Sequence, residues 1–187
     1  MKTKVCFLTL LLIFYSLLFT SVFFASPNVD IENKSVNFLL KELSSTNTFE
    51  LSNYSGKTPV LINFFTTWCP YCVREIPELN KIVSKYGPKM LTVVSINVQE
   101  RERKVVNFVV REKILHKVLL DTQAEVTKKF KIHGLPTNIL IDSKGMIVFR
   151  GNNLPQESDI EKVLLHQKQD LPMRATKKKR KLKVARE

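Results

Sequence analysis

The chain has 187 residues, 44% of them hydrophobic, and a formal net charge of +13. This length and composition suit one domain of ordinary size with a buried core and short appendages. The charge does not indicate a nucleic-acid-binding fold, because much of it lies at the ends. Residues 168–187 hold nine Lys or Arg against two acidic residues, and Lys2 and Lys4 add two more charges.

The first 25 residues predict an export signal or a membrane anchor. Lys2 and Lys4 precede an uncharged run from Val5 to Ala25, which has about the 20-residue length of a spanning helix. A cleavable signal usually has a shorter apolar region and small residues at the cut. Phe23 fits such a cut poorly, so an uncleaved anchor is favoured and a cleaved signal is the alternative. The lysines favour a cytoplasmic N-terminus, which places the rest of the chain across the membrane.

The remainder divides into a linker over residues 26–35, one folded domain over 36–167 and a basic, disordered tail over 168–187. Apolar runs and turn signals alternate through the domain. They predict a hairpin of residues 36–43 and 48–51, a strand 59–65, a helix 70–86, a strand 90–97, a helix 102–113, a strand 117–121, a helix 124–130, a hairpin of strands 137–142 and 146–149, and a closing helix 156–166. This order predicts an α/β fold with a central mixed sheet and helices on both faces.

Two helices carry more detailed expectations. Pro77 lies inside the helix 70–86 and is expected to kink it, because proline lacks the N–H of an interior helical bond. In the helix 102–113, four valines at positions 105, 106, 109 and 110 are expected to form an apolar stripe that faces the core.

The chemistry lies in a Trp-Cys-Pro-Tyr-Cys motif at residues 68–72, where the apolar strand 59–65 ends and a helix begins. Two cysteines three residues apart at a helix start are close enough to form a disulfide. The helix N-terminus stabilises a thiolate on the first of them. Cys69 is therefore predicted to be the attacking thiolate and Cys72 the resolving partner.

Other uses of two cysteines are disfavoured. The third cysteine, Cys6, lies in the N-terminal apolar run, and the spacing of His116, His133 and His166 does not complete a tetrahedral zinc site. A purely structural disulfide across a four-residue loop would stabilise the fold weakly. Redox chemistry without a metal remains.

With a Gly-Leu-Pro-Thr segment at 134–137, the strand, WCxxC and helix arrangement resembles the thioredoxin superfamily. Asn-Phe at 63–64, Glu-Ile-Pro at 75–77 and Asn-Val-Gln-Glu at 97–100 narrow the resemblance to the extracytoplasmic branch typified by TlpA, ResA and the cytochrome c maturation thiol-disulfide oxidoreductases. The resemblance implies a thioredoxin-like fold with an N-terminal hairpin. It also implies a cis peptide before a catalytic Pro136, and substrate contacts from Trp68, Leu135 and Thr137.

Cytoplasmic thioredoxins have a buried aspartate where this chain has Asn63, so another carboxylate must exchange protons with Cys72. The resemblance implies catalytic Glu75, because a partly desolvated carboxylate has a raised pKa. A surface glutamate paired with Arg74 or Lys81 is the alternative.

Three further features have open interpretations. Glu100 matches a second acidic position of the branch, and a functional and a surface role weigh equally for it. The dipeptide Pro70-Tyr71 between the cysteines tunes the reduction potential. His133 would lower the pKa of Cys69 if it were charged, but a solvent-facing side chain is favoured.

The resemblance implies an extracytoplasmic thiol-disulfide oxidoreductase that needs no cofactor. Its expected task is reduction of disulfides in exported proteins, for instance apocytochrome c, with electrons from a membrane thiol-disulfide donor. The main alternative is an oxidant or isomerase that forms disulfides. A copper-handling protein of the same fold is disfavoured because that branch usually has CxxxC spacing, and the PxxxTxxC context of a peroxiredoxin is absent from the sequence.

Overall fold

The computed structural model describes residues 34–168. The expected export segment, most of the linker and all but the first residue of the basic tail lie outside the described residues. Between residues 34 and 168, no helix is long and apolar enough to cross a membrane.

Strands and helices alternate in the described residues in the predicted order. The strands are β1 (Leu39–Glu42), β2 (Thr48–Glu50), β3 (Val60–Phe65), β4 (Thr92–Val98), β5 (Lys117–Asp121), β6 (Thr137–Ile141) and β7 (Ile147–Gly151). The helices are α1 (Pro70–Met90), α2 (Glu102–Arg111), α3 (Glu125–Lys129) and α4 (157–168), and a 3-10 turn (Leu51–Tyr54) follows β2.

The strands form one mixed sheet in the order β2-β1-β5-β4-β3-β6-β7. Strands β3, β4 and β5 are parallel, whereas β6 is antiparallel to β3 and the N-terminal hairpin joins antiparallel to β5. Both parallel connections step in the same direction across the sheet. Because such crossovers are right-handed, α1 and α2 lie on the same face, and the N-termini of these helices follow the carboxyl ends of the strands.

The two faces of β3 contribute to different parts of the core. Val60, Ile62 and Phe64 pack on one face with residues of the N-terminal hairpin and α3. Leu61 and Phe65 point to the other face and pack against α1, α2 and α4. Helices therefore cover both faces, which confirms the predicted fold class.

The interruption of α1 differs from the prediction. Pro77 keeps helical backbone angles, and the backbone leaves the helical region at Gly87, with φ 62° and ψ 167°. Gly87 precedes Pro88, whose ring disfavours the helical conformation at the residue before it. Glycine also accepts a positive φ at little cost, so the chain breaks at the Gly-Pro pair.

The predicted valine stripe of α2 is only partly right. Val105 and Phe108 are buried, but Val110 is 72% exposed. Successive residues rotate by about 100° around an α-helix. Val110 therefore lies roughly 140° from Val105 and points to solvent, while Phe108 takes its place against the sheet.

Candidate active site

Cys69 and Cys72 form a disulfide at the N-terminus of α1, with their Cα atoms 5.3 Å apart. Cys69 is the N-cap residue of the helix, and its sulfur accepts a hydrogen bond from the backbone N–H of Cys72 at 3.3 Å. Pro70 occupies the first turn, where its missing N–H costs nothing. Unpaired N–H groups and the helix dipole both favour negative charge on the Cys69 sulfur.

The disulfide lies between an apolar cluster and exposed aromatic side chains. Both cysteines are buried in a cluster with residues of β3, α1, α2 and β5: Phe65, Ile76, Val105, Phe108, Val118 and Leu120. Trp68 and Tyr71, in contrast, are 69% and 65% exposed. The Arg74 guanidinium lies over the Tyr71 ring at 4.3 Å from its centroid. The start of α1 therefore carries two exposed aromatic side chains next to the buried disulfide.

The loop before β6 lies beside the cysteine pair. The Leu135–Pro136 peptide bond is cis, as the resemblance implied, and the Leu135 side chain packs against the cluster that holds both cysteines. The Thr137 hydroxyl donates a hydrogen bond to the Gly134 carbonyl at 2.7 Å. One cleft joins this loop to the start of α1, and its lining residues are Tyr71, Arg74, Glu75, Leu135, Pro136, Asn152 and Asn153.

Glu75 is half-buried and lies three residues after Cys72 on α1. Its two carboxylate oxygens accept hydrogen bonds from Asn138 Nδ2 at 3.1 Å, and Oε2 also accepts one from Asn63 Nδ2 at 3.2 Å. Burial raises the pKa of the Glu75 carboxyl, although the Asn138 and Asn63 hydrogen bonds oppose the shift.

The alternative of a surface ion pair for Glu75 is not what the structure has. Lys81 pairs with Glu78 at 2.8 Å, and Arg74 stacks on Tyr71. The Glu75 carboxylate is bound by two neutral amides instead. Within residues 34–168 no cation pairs with this carboxylate, so burial and the orientation of the two amides govern its proton affinity.

A row of polar side chains crosses the sheet beneath α1, and the sequence analysis missed most of it. Asn63 pairs with Asn138 on one side and with Ser95 on the other. The Ser95 hydroxyl lies 3.1 Å from Asn63 Oδ1 and 2.7 Å from His116 Nε2. Polar residues inside otherwise apolar strands were the available signal, since buried polar groups need partners.

Glu100 holds the loop that precedes Cys69. Its carboxylate accepts hydrogen bonds from the backbone N–H and the hydroxyl of Thr67, both at 2.6 Å, and from Asn97 Nδ2 at 2.8 Å. Lys104 adds an ion pair at 2.7 Å. Burial acts to raise the pKa of Glu100, but the hydrogen bonds from Lys104, Thr67 and Asn97 outweigh it and hold the pKa below its ordinary value. The two hydrogen bonds from Thr67 tie this carboxylate to the segment that precedes Cys69.

His133 is exposed on the loop that leads to Leu135. Over residues 34–168, no three His, Cys, Asp or Glu side chains cluster in a way that could hold a metal ion.

Comparisons with known proteins match most of the chain. The Redoxin family model matches residues 27–164. The chain is 34% identical over 131 residues to thiol-disulfide oxidoreductase ResA of Halalkalibacterium halodurans, covering 70% of this chain and 73% of the relative. It is 30% identical over 131 residues to ResA of Bacillus thuringiensis subsp. konkukian, covering 70% and 75%. A thioredoxin family thiol:disulfide interchange protein of Chlorobium tepidum TLS superposes with a TM-score of 0.61 at 25% identity, covering 72% and 95%.

Proposed function

This chain belongs to the Redoxin family and is a thiol-disulfide oxidoreductase, and from this premise we propose that it reduces disulfide bonds of exported proteins through Cys69 and Cys72. One observation carries the proposal. The sulfur of Cys69 caps α1 within 3.3 Å of the Cys72 N–H, and the half-buried Glu75 carboxylate lies one helical turn further on. That arrangement supports a stabilised thiolate and a nearby proton acceptor.

In the first step, the Cys69 thiolate of the reduced protein attacks one sulfur of a substrate disulfide. The substrate S–S bond breaks, a Cys69–substrate disulfide forms, and the other substrate sulfur leaves as a thiolate. The N-terminus of α1 stabilises the attacking thiolate. Trp68 offers an exposed apolar surface beside Cys69 on which the substrate can pack.

In the second step, the Glu75 carboxylate takes the proton of the Cys72 thiol. The Cys72 thiolate then attacks the Cys69 sulfur, the Cys69–Cys72 bond forms, and the second substrate sulfur leaves and receives the proton. Two electrons have passed from the dithiol to the substrate. A raised pKa suits the Glu75 carboxyl to this task, because it lies closer to the pKa of a thiol and makes the carboxylate a better acceptor of the Cys72 proton. The departing substrate thiolate is still the stronger base and takes the proton at the end of the step.

The loop before β6 is proposed to bind the substrate chain. Leu135 offers backbone groups to an extended peptide, in the manner of a strand added to an exposed edge, and Pro136 shields the cysteine pair. The Thr137 hydroxyl is bonded to Gly134, so its contribution is to hold the loop shape. The substrates are protein disulfides, with apocytochrome c as one example.

The proposed location is outside the cytoplasm. Residues 1–25 would export or anchor the chain, residues 26–35 would link them to the folded domain of 36–167, and residues 168–187 would form a basic tail. A membrane thiol-disulfide electron donor would return the protein to its dithiol form after each cycle. No cofactor takes part in these steps, since both electrons reside on the two sulfurs.

Trapping of mixed disulfides tests the cysteine roles. In a Cys6→Ser background, the Cys72→Ser variant should accumulate a covalent complex with a reducible protein substrate, because Cys69 attacks and no resolving thiol follows. The matched Cys69→Ser variant should trap none. Equal trapping by both variants, or trapping by Cys69→Ser alone, would contradict the assignment.

The direction of electron flow is tested by the reduction potential of the purified full-length chain, equilibrated with thiol buffers and read by Trp68 fluorescence. A value near or below about −270 mV supports the reductase, whereas a value near −120 mV would make the protein a disulfide donor. Tyr71→Pro offers an internal comparison, because the residues between the cysteines tune the potential. A tenfold change in the exchange equilibrium corresponds to about 30 mV.

A further inference from the structure

We propose that Ser95 and His116 are positioning residues that orient the Asn63 amide, so that Asn63 and Asn138 both direct N–H donors at the Glu75 carboxylate. The inference rests on the proposed role of Glu75 in the exchange reaction. It concerns the part of the polar row farthest from the cysteines, and neither Ser95 nor His116 lines the cleft beside them.

The hydrogen bonds of this row all run in one direction. Asn138 Nδ2 donates to both oxygens of Glu75 at 3.1 Å, and Asn63 Nδ2 donates to Asn138 Oδ1 at 2.9 Å and to Glu75 at 3.2 Å. Asn63 Oδ1 is left as the acceptor for the Ser95 hydroxyl at 3.1 Å. Since that hydroxyl has one proton to give, its oxygen must accept from His116 Nε2 at 2.7 Å.

The Asn63 amide is the element with two alternative states. If it were rotated by half a turn, its oxygen would face the oxygens of Asn138 and Glu75, and its NH₂ would face Ser95. Asn63, Asn138 and Ser95 are all buried, so water would not relieve the clash of oxygens. The avoided clash and the donor from Ser95 together select the orientation in which Glu75 receives its hydrogen bonds, and loss of Ser95 removes the part of this selection that lies outside the Asn138–Glu75 side.

His116 in turn fixes the Ser95 hydroxyl. A neutral imidazole carries its proton on one nitrogen, and the contact with Ser95 places that proton on Nε2. His116 Nδ1 is buried with no hydrogen-bond partner. Burial lowers the pKa of His116 to about 4, so the ring stays a neutral donor across the physiological range.

Few charged groups lie near Glu75 and His116, the two ends of the polar row, in the described part of the chain. Beside His116, Lys117 and Glu42 line the same cleft and pair with each other at 2.6 Å. Beside Glu75, the titratable or charged groups on α1 are the Cys72 thiol in the reduced form, Arg74 and Glu78. The strands β3 and β6 and the loops 134–136 and 152–153 present neutral groups to it.

The experiment follows the Glu75 carboxyl directly. In the full-length chain labelled with carbon-13 at glutamate carboxyls, Ser95→Ala and His116→Leu should each move the Glu75 titration midpoint upward by roughly half to one pH unit, the size expected for one lost hydrogen bond. His116→Gln keeps an N–H donor and should move the midpoint less than His116→Leu. The Asn63 side-chain amide resonances should shift in the same variants.

Val94→Ala is the matched control, because Val94 lies next to Ser95 on β4 but points to the opposite face. It weakens the core without touching the polar row and should leave the Glu75 midpoint unchanged. An unchanged midpoint in Ser95→Ala overturns the inference, and so does an equal shift in Val94→Ala. If His116→Leu does not fold, Ser95→Ala still decides, since it removes a single oxygen.

The proposed acid–base role of Glu75 is tested by a different measurement, the rate of disulfide exchange. If Glu75→Gln exchanges disulfides at the wild-type rate across pH, the acid–base role of Glu75 is refuted. The carboxyl titration in Ser95→Ala still decides whether Ser95 orients Asn63, because it does not depend on turnover.

Discussion

Replacement of Glu100 by alanine should loosen the active-site loop and destabilise the domain by a predictable amount. The Glu100 side chain is only 6% exposed, and it satisfies the Thr67 backbone N–H, the Thr67 hydroxyl and the Asn97 amide. Thr67 is two residues before Cys69. The carboxylate therefore connects the start of α2 to the segment that presents the attacking sulfur.

The magnitude follows from those bonds. A hydrogen bond to a charged acceptor contributes about 1.5–3 kcal/mol. The half-buried Thr67 hydroxyl can turn toward solvent, so the Thr67 N–H and the Asn97 amide dominate the loss. At the lower end of that range two such bonds give about 3 kcal/mol, which lowers Tm by roughly 10 °C for a domain of this size. A loss of that size leaves the domain folded, since domains have about 5–15 kcal/mol in reserve.

Urea denaturation followed by circular dichroism measures the loss, and amide hydrogen exchange at Thr67 locates it. Lys104→Ala is the matched control, because Lys104 is 56% exposed and an exposed ion pair contributes less than about 1 kcal/mol. If Glu100→Ala costs no more than Lys104→Ala, or if exchange at Thr67 stays slow, the buried bonds do not have the assigned weight and the reasoning is refuted.

Two further predictions concern a proton and a backbone angle. Burial raises the pKa of Glu75 above its ordinary 4.5, so the stability of the wild-type protein should fall as pH rises from about 4.5 through the raised pKa. Glu75→Gln should abolish that fall in urea denaturation. Parallel pH profiles of the two proteins would contradict this prediction. Gly87→Ala should cost about 1–2 kcal/mol and Gly134→Ala under about 0.5 by the same assay. A new Cβ meets nothing within 4 Å at either site and only Gly87 has positive φ, so equal costs would refute a backbone origin.

The elements predicted from sequence were those with a local cause. Apolar runs bounded by turn signals predicted the strands, the helical repeat of apolar residues predicted the helices, and Pro70 after Cys69 indicated the start of α1. The predictions of the helix interruption and of the valine stripe were wrong in part, because neighbouring residues and helix geometry overrode the preference of a single residue. Proline at position 77 was tolerated inside the helix, while the Gly87-Pro88 pair ended its regular part, and Val110 pointed outward because the helix angle, not hydrophobicity, decides which side chains face the sheet.

In the candidate site, too, the residues with a local signal were predictable and those with long-range partners were not. Cys69 and Cys72 were readable because their spacing and position at a helix N-terminus are properties of consecutive residues. The orientation of Glu75 was not, because its partners come from β3 and β6, and Asn138 is 63 residues away along the chain. A carboxylate has the same sequence signature whether it meets a lysine in water or two amides in the core.

By itself, then, the sequence determined the redox motif, the alternation of strands and helices and the charged ends, all of which depend on near neighbours. Tertiary structure alone decided that Glu100 binds the Thr67 loop and that a polar row from Glu75 reaches Ser95 and His116. Strand register sets these contacts, because pairing of β3 with β4 and β6 brings Asn63 level with Ser95 and Asn138. Register results from packing of the whole sheet, since a shift of one residue would turn these polar side chains to the opposite face.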